Sequence, residues 1–561
     1  MNKKYQFLLV SIIIILGLFT RFYGLNWDQG YHLHPDERAI VLFTLKLAFP
    51  RTIHEFLAAT SGWNPHFFAY GSLPLYLLYA AAGIASHLSF SLGSYDGINL
   101  VGRGISASAD VAIILLLFFL GKKLFSPFVG ILSACFYTMS TFALQAAHFY
   151  AVDTMLTLFT LLALFSLIQF QMTHRYKRLV GFAVCLGLAV ATKISAIILL
   201  TPFILTLLYV LFHEWQTAHS SLSKKISVMA RHGFLLCSTV GIVLVLTFAF
   251  CEPYALISFS EFWKQTSQQS EMTRSAFTFP YTLQYVGIIP YLYELKQIFF
   301  WGQGPFLAFI CFGGVIYTSL FFYKHPEKKN LGILLSFFWI YFAVVGSFAV
   351  GFMRYMLPLY PLFCLFGAYG YVTFLHRLPR SFHIATLTLT LLLILILPVS
   401  FLHIYTQPNT RVQATEWILN NIPQGSTIAG EHWDDQLPLK HAELYQAVTL
   451  ALYEPDTPAK WALINSQLQS ADYLILASNR LSTPLQKLTD CKKLLPHPCY
   501  TLTAAYYHNL FAGKRGFKRI KEFSLFPTIP LLNLKLHDAT ADESFTVYDH
   551  PTVVIFKKQA N

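Results

Sequence analysis

Long apolar runs alternate with short polar, mostly basic stretches from the first residues to about position 404. The runs lie at 6–24, 101–121, 127–147, 153–172, 179–195, 196–213, 233–251, 303–323, 331–352, 355–375 and 382–403. A helix rises about 1.5 Å per residue, so roughly 20 apolar residues cross a hydrocarbon layer of about 30 Å. The pattern therefore predicts a polytopic α-helical membrane protein with about eleven spans. After residue 404 the pattern changes. "TRVQATEWILNNIP" has helical spacing, with Thr410 or Thr415 as possible caps. "GSTIAG" and "ADYLILAS" read as buried strands, and "FTVYDHPTVVIFKK" as a terminal strand pair interrupted by "DHP". Residues 404–561 are thus expected to form a separate soluble α/β domain.

The polar stretches set the sidedness. "GKKLFSP" at 121–127, "THRYKRL" at 173–179, the segment with Lys224, Lys225 and Arg231, "YKHPEKKN" at 323–330 and "HRLPR" at 376–380 are all basic. With the N-terminus inside, every one of them falls in the cytoplasm, as the positive-inside rule requires. The segment 67–90 tests this count, because it is apolar and long enough to span. A crossing there would turn all later basic loops outward. Gly71 and Pro74 break its start. Residues 25–100 are therefore expected to be one external region with helices lying on the membrane or re-entering it. Loop 252–302 and the tail share that side. The first run is long, uniformly apolar and followed by no small-residue cleavage site, so it reads as an uncleaved span.

Composition agrees and narrows the field. Hydrophobic residues make up 55% and charged residues 12%, with a mean hydropathy of +0.51. That is too apolar for a soluble globular chain. The net charge of +13 would suggest nucleic acid in a soluble protein. Here the basic residues are dispersed over orienting loops, and no nucleic-acid partner is expected. Six of the eight cysteines lie in or beside apolar runs and read as small core residues. Cys491 and Cys499, in "CKKLLPHPC", are expected to pair if the tail faces an oxidising compartment. No phosphate loop, CxxC, GxSxG or HExxH occurs in the chain. "EHWDD" at 431–435 and "HDATADES" at 537–544 read as solvated loops.

Ionisable residues inside or beside apolar sequence are costly and tend to mark functional sites. They are Asp36, Glu37, Arg103, His148, Asp153, Lys193, Glu252 and Arg354, and the topology puts them all at the external face. The ordinary reading of each is an interfacial anchor. Asp153 resists it, being short and placed at the start of an apolar helix, where its ordinary role is an N-cap.

The Asp36-Glu37 pair in "HPDER" resembles the family mark of the GT-C class of membrane glycosyltransferases. The chain looks most like the branch of protein O-mannosyltransferases and lipid A aminoarabinose transferases. The likeness extends to "GSLPLYLLYAAAG", "VGRGISA", "HFYAVDTML", "GLAVATKISA" and "MRYMLPLYPLF", and covers about residues 1–405. The tail does not resemble the β-trefoil of the eukaryotic mannosyltransferases. The resemblance implies a transmembrane catalytic domain over 1–403 and an extracytoplasmic domain over 404–561. It implies inverting transfer of a hexose or pentose from a polyprenyl-phosphate donor, outside the cytoplasm, to a protein, lipid or glycan. Asp36 would then be the base or acceptor-binding carboxylate, Glu37 its support and Asp153 the second acidic residue. Arg103, Lys193 and Arg354 would meet the donor phosphate, with His34, His148, Tyr70 and Glu252 as further substrate contacts. Several relatives carry Lys before the Pro of the surface helix, whereas this chain has Ser72 and Leu73, which shifts phosphate binding toward Lys193 or Arg354.

The chemistry asks for the same groups. An attacking hydroxyl must lose its proton to a carboxylate within reach, and a leaving phosphate must be met by Arg or Lys. No cofactor is required, although Asp36, Glu37, Asp153 and nearby His are of a type that takes a divalent metal. A polytopic transporter or flippase is the alternative, but the sequence shows no inverted repeat.

Overall fold

The computed structural model describes residues 2–217 and 221–559. Each expected span is helical. Eight helices are long and apolar enough to cross a membrane, or nine if the bent pair Pro127–Thr138 and Thr141–Ala147, kinked by 64°, is one span. Tyr176–Val190 and Lys329–Val345 have only 15 and 17 residues. Length and composition thus support eight or nine spans among the described residues, not eleven. The helix in the disputed 67–90 segment, Leu73–Ala85, has 13 residues, about 20 Å at 1.5 Å each, so it is too short to cross. It begins at the break that Pro74 imposes.

Close backbone packing joins the early spans. A Cβ on Gly121 would lie 2.7 Å from the Cα of Gly130, and one on Gly130 would lie 2.4 Å from the carbonyl of Phe118. Only glycine lets Ile98–Leu124 and Pro127–Thr138 approach so closely. A buried ion pair then pins the first helix, Lys3–Phe22, to this hairpin. Arg21 Nε donates to Asp110 at 2.9 Å, both side chains are fully buried, and Tyr137 donates to the same carboxylate at 2.6 Å. Cys237 is exposed on its helix, so not every membrane cysteine is a core residue.

The tail carries a five-stranded sheet ordered Gln446–Leu450, Thr427–Glu431, Tyr473–Leu476, Val553–Lys558, Phe517–Phe523. Its first two pairings are parallel and its last two antiparallel. The expected strands at 427–431, 473–476 and 553–558 are present, as is the helix Thr410–Asn421. "FTVY" is not a strand. It belongs to a short helical turn, Glu543–Thr546, started by Asp542, whose carboxylate accepts from Ser544 N at 2.9 Å. Local capping there overrides the β-branched composition. Cys491 and Cys499 are disulfide-bonded, with Cα atoms 5.1 Å apart.

The tail is fastened to the membrane helices by a buried cluster. His550 lies 2.8 Å from Asp538 and 2.5 Å from Asp549. Asp549 also accepts from Tyr405, just past the last span, at 2.9 Å and from Gln145, on the membrane side, at 3.1 Å. Burial alone would push the His550 pKa down, but the carboxylates of Asp549 and Asp538 outweigh it and hold it up at about 10. A raised pKa means the stabilisation is complete below the unfolded value near 6.5 and is lost as pH rises toward 10. Melting temperature should therefore fall between about pH 6.5 and 10, and His550→Gln should flatten that decline. An unchanged slope in the variant would remove His550 from this role.

Candidate active site

The site begins at the short helix Pro35–Thr44. His34 caps it, its Nδ1 accepting from Glu37 N at 3.4 Å, and Pro35 occupies the first turn. Consecutive helical residues point about 100° apart, so the two adjacent carboxylates face different surroundings. Glu37 turns inward and is fully buried. Its oxygens accept from Arg103 at 2.6 and 2.9 Å and from Tyr150 N at 2.9 Å. Arg103 also donates to Asp28 at 2.7 and 2.9 Å and to the Leu25 carbonyl at 2.7 Å. A guanidinium has five N–H donors, and these contacts use all five. Arg103 therefore has no donor left for a phosphate, contrary to the expectation from sequence. It is a pillar that anchors the segment between the first helix and Pro35–Thr44 on the span Ile98–Leu124. Burial alone would raise the pKa of Asp28, but Arg103 and the Leu33 and Gly30 amides outweigh it and hold it below the usual carboxylate range.

Asp36 turns the other way and pairs with Arg354. Arg354 Nε lies 4.0 Å from Asp153, and Asp153 accepts from Lys193 at 2.8 Å. Four residues from four elements thus form one line of alternating charge. Asp153 sits in the first turn of Val152–Thr173, where the helix dipole favours a carboxylate. Lys193 stands in the break before Ile194–Leu199, and Arg354 lies in the 3₁₀ segment Met353–Leu359. Aromatic faces hold both cations. Lys193 Nζ is 4.6 Å from the Tyr355 ring centre, and the Arg354 guanidinium is 4.8 Å from that of Phe352.

Asp36, Lys193, Arg354, Tyr70 and Glu252 line a cavity of about 1300 Å³, with Asp153 just behind its wall. Its lining includes the apolar side chains Ile194, Ile197, Ile198, Val344 and Phe348. The tail contributes Trp433, Asp434, Asp435, Arg480, Glu543 and Tyr548. His34 and His148 are not brought into this cavity. His34 is buried between the rings of Phe149 and Tyr548, at 4.6 and 4.1 Å. Burial, then the nearby arginines, pushes its pKa well below the usual range and keeps it neutral. Both ring nitrogens of His148 face backbone carbonyls, of Leu144 and Tyr23, at 2.9 Å. The possible metal ligands are not gathered either, since Glu37 is held by Arg103. Among the described residues, no three His, Cys, Asp or Glu side chains stand together as a metal site.

The contribution of the tail was not foreseen. "EHWDD" and "HDATADES" are not solvated loops. Asp435 accepts from Arg38 at 3.0 Å, Asp434 from Arg411 at 3.0 Å, and Glu543 from Arg480 at 2.6 Å. Trp433 is held at φ 75°, a left-handed conformation rare for a bulky residue, and it lines the cavity. Such strain is kept where surrounding structure dictates it, often at binding sites. A Trp flanked by acids just after a strand was the one available signal.

With this geometry in view, the chain is comparable with known proteins. The family described as dolichyl-phosphate-mannose-protein mannosyltransferase matches residues 96–248. No curated protein matches the chain in sequence. The archaeal oligosaccharyltransferase AglB from Archaeoglobus fulgidus, in complex with an inhibitory peptide and a dolichol-phosphate, superposes with a TM-score of 0.52 at 12% identity, over 99% of this chain and 88% of that one. The oligosaccharyltransferase of that organism tethered with an acceptor peptide gives 0.50 at 12% identity, over 99% and 89%. ArnT from Cupriavidus metallidurans bound to undecaprenyl phosphate gives 0.47 at 12% identity, over 85% and 93%.

Proposed function

We propose that this multi-pass membrane glycosyltransferase of the GT-C fold moves a sugar from a polyprenyl-phosphate carrier to a hydroxyl-bearing acceptor at the extracytoplasmic face. One observation carries the reading. A single cavity is lined by a carboxylate, Asp36, two cations, Arg354 and Lys193, and apolar side chains that include Ile194, Ile197 and Val344. A polyisoprenoid needs the apolar lining, its phosphate needs the cations and the acceptor needs the carboxylate. Family and fold likenesses point the same way, and none favours a transporter.

In the reaction, the acceptor oxygen attacks the anomeric carbon while Asp36 takes its proton. The new carbon–oxygen bond forms as the bond to the phosphate oxygen breaks. The departing phosphate keeps the electron pair, and Arg354 and Lys193 stabilise its growing charge. One displacement without a covalent sugar–enzyme stage inverts the anomeric centre. Glu37 supports Asp36 by locking the helix they share onto Arg103, without touching substrate. The sugar is a hexose or a pentose, and the acceptor is a protein, a lipid or a glycan.

The test is turnover by purified protein in lipid nanodiscs, given a panel of polyprenyl-phosphate sugars and candidate acceptors. Release of polyprenyl phosphate with inverted product is expected for at least one donor. If every donor stays intact while the protein remains folded and binds none of them, the reading fails. Within the same assay, Trp433→Ala is expected to raise the acceptor KM several-fold with little change in kcat, because loss of uniform binding moves KM alone.

A further inference from the structure

The two arginines nearest the Asp-Glu pair differ in what they have left to give. Arg103 uses all five of its N–H donors on fixed partners. Among the described residues, Arg354 makes one hydrogen bond, from NH1 to Asp36, and its buried Nε has no partner within hydrogen-bond distance, with Asp153 standing off at 4.0 Å. It also sits in a short 3₁₀ segment, with its guanidinium over the Phe352 and Tyr355 rings at 4.8 and 6.0 Å. Those contacts fix the plane of the guanidinium but not its anion. Asp36 has the complementary property. Its side chain lines the cavity and its recorded partner is Arg354. Asp153, by contrast, is 4% exposed and held by Lys193.

We infer that Arg354 is a latch, which blocks Asp36 while the cavity is empty and releases it when a lipid-linked phosphate takes the guanidinium. The inference rests on the function proposed above. The phosphodiester of a lipid-linked sugar presents two free oxygens, and a sugar-free lipid phosphate three, so either matches the guanidinium fork in two parallel bonds, whereas Asp36 is held through one nitrogen. Lys193, fixed beside Asp153, adds a second cation on the phosphate side. Exchange of partners leaves the Asp36 carboxylate facing the cavity with free lone pairs, able to accept the hydroxyl of the second substrate. Donor then binds before acceptor, and without donor the base is held in an ion pair with Arg354. Arg354 acts here as a positioning residue for the base as well as a phosphate contact.

Competition for one guanidinium has a signature that ordinary charge repulsion lacks. The experiment measures the affinity of undecaprenyl phosphate, which carries no sugar and cannot turn over, for the full-length protein in nanodiscs. Asp36→Asn is expected to tighten binding about tenfold, within the range usual for coupled sites. Arg354→Gln is expected to weaken it. In the Arg354→Gln background, adding Asp36→Asn should change affinity by less than about twofold, because the competition is gone. Arg354→Met serves where Arg354→Gln does not fold, since it also removes the cation, and Asp36→Asn should again add nothing.

Two results overturn the latch. In one, Asp36→Asn binds no tighter than wild type. In the other, the tightening persists without Arg354, which makes it a general effect of removing a negative charge. Failure of folded wild-type protein to bind undecaprenyl phosphate at all would instead defeat the proposed function, and the latch with it.

Discussion

Asp36→Asn is expected to abolish sugar transfer, lowering kcat by about 10²–10⁴-fold, while the protein still folds and binds its lipid donor. Asn keeps the size of the side chain but cannot take a proton. Folding should survive because Asp36 lines the cavity and its side chain, unlike that of Glu37, is partly exposed. Glu37→Gln differs in kind. It removes a buried counter-charge from Arg103, so its loss of activity should come with loss of thermal stability. Measuring kcat and melting temperature for both variants separates a reacting group from a supporting one. Wild-type turnover by purified Asp36→Asn would remove Asp36 from the mechanism.

Arg103→Met is expected to give the largest loss of stability. Asp28 and Glu37 would be left buried without a cation, and breaking such a cluster costs about 3–5 kcal/mol. The segment that follows the first helix would lose its anchor, and the helix carrying Asp36 would lose it too. Neutralising all three, with Asp28→Asn and Glu37→Gln added to Arg103→Met, should recover part of the lost stability, because apolar or neutral replacement of a whole buried cluster is far less costly than breaking it. Thermal unfolding in detergent would show this order. A single Arg103→Met variant as stable as wild type would mean that the cluster does not hold that segment.

Much of this was legible in the chain, for reasons that differ by element. Apolar runs of about 20 residues announce membrane helices because lipid accepts little else. The short helix at Leu73–Ala85 was legible through Gly71 and Pro74, which break the start of the apolar run. Asp36, Asp153, Lys193 and Arg354 stood out because charge is costly in such surroundings, and the structure places them in one line of contacts. Arg103 stood out for the same reason, yet its cation is consumed by Asp28 and Glu37. Cost identifies a buried charge but not its partner, which lies 75 residues away for Asp28. Arg21 and Asp110 escaped notice for a related reason, one sitting at a helix end and the other inside a long span.

The tail was the least legible. An acidic cluster beside Trp433 has the composition of a solvated loop, and only the folded arrangement brings Arg38, Arg411 and Arg480 to it. The span count also exceeded what the helices support. Hydropathy windows measure apolar length along the chain, whereas Tyr176–Val190 and Lys329–Val345 end early, at a turn and at a helix break.

The most direct test of the account is a structure of the protein in nanodiscs with undecaprenyl phosphate bound. The phosphate is expected within about 3 Å of both Arg354 and Lys193, with the chain running along Ile194, Ile197 and Val344 and with Asp36 parted from Arg354. A phosphate seated elsewhere, with the Asp36–Arg354 pair intact and the cavity empty, would contradict it.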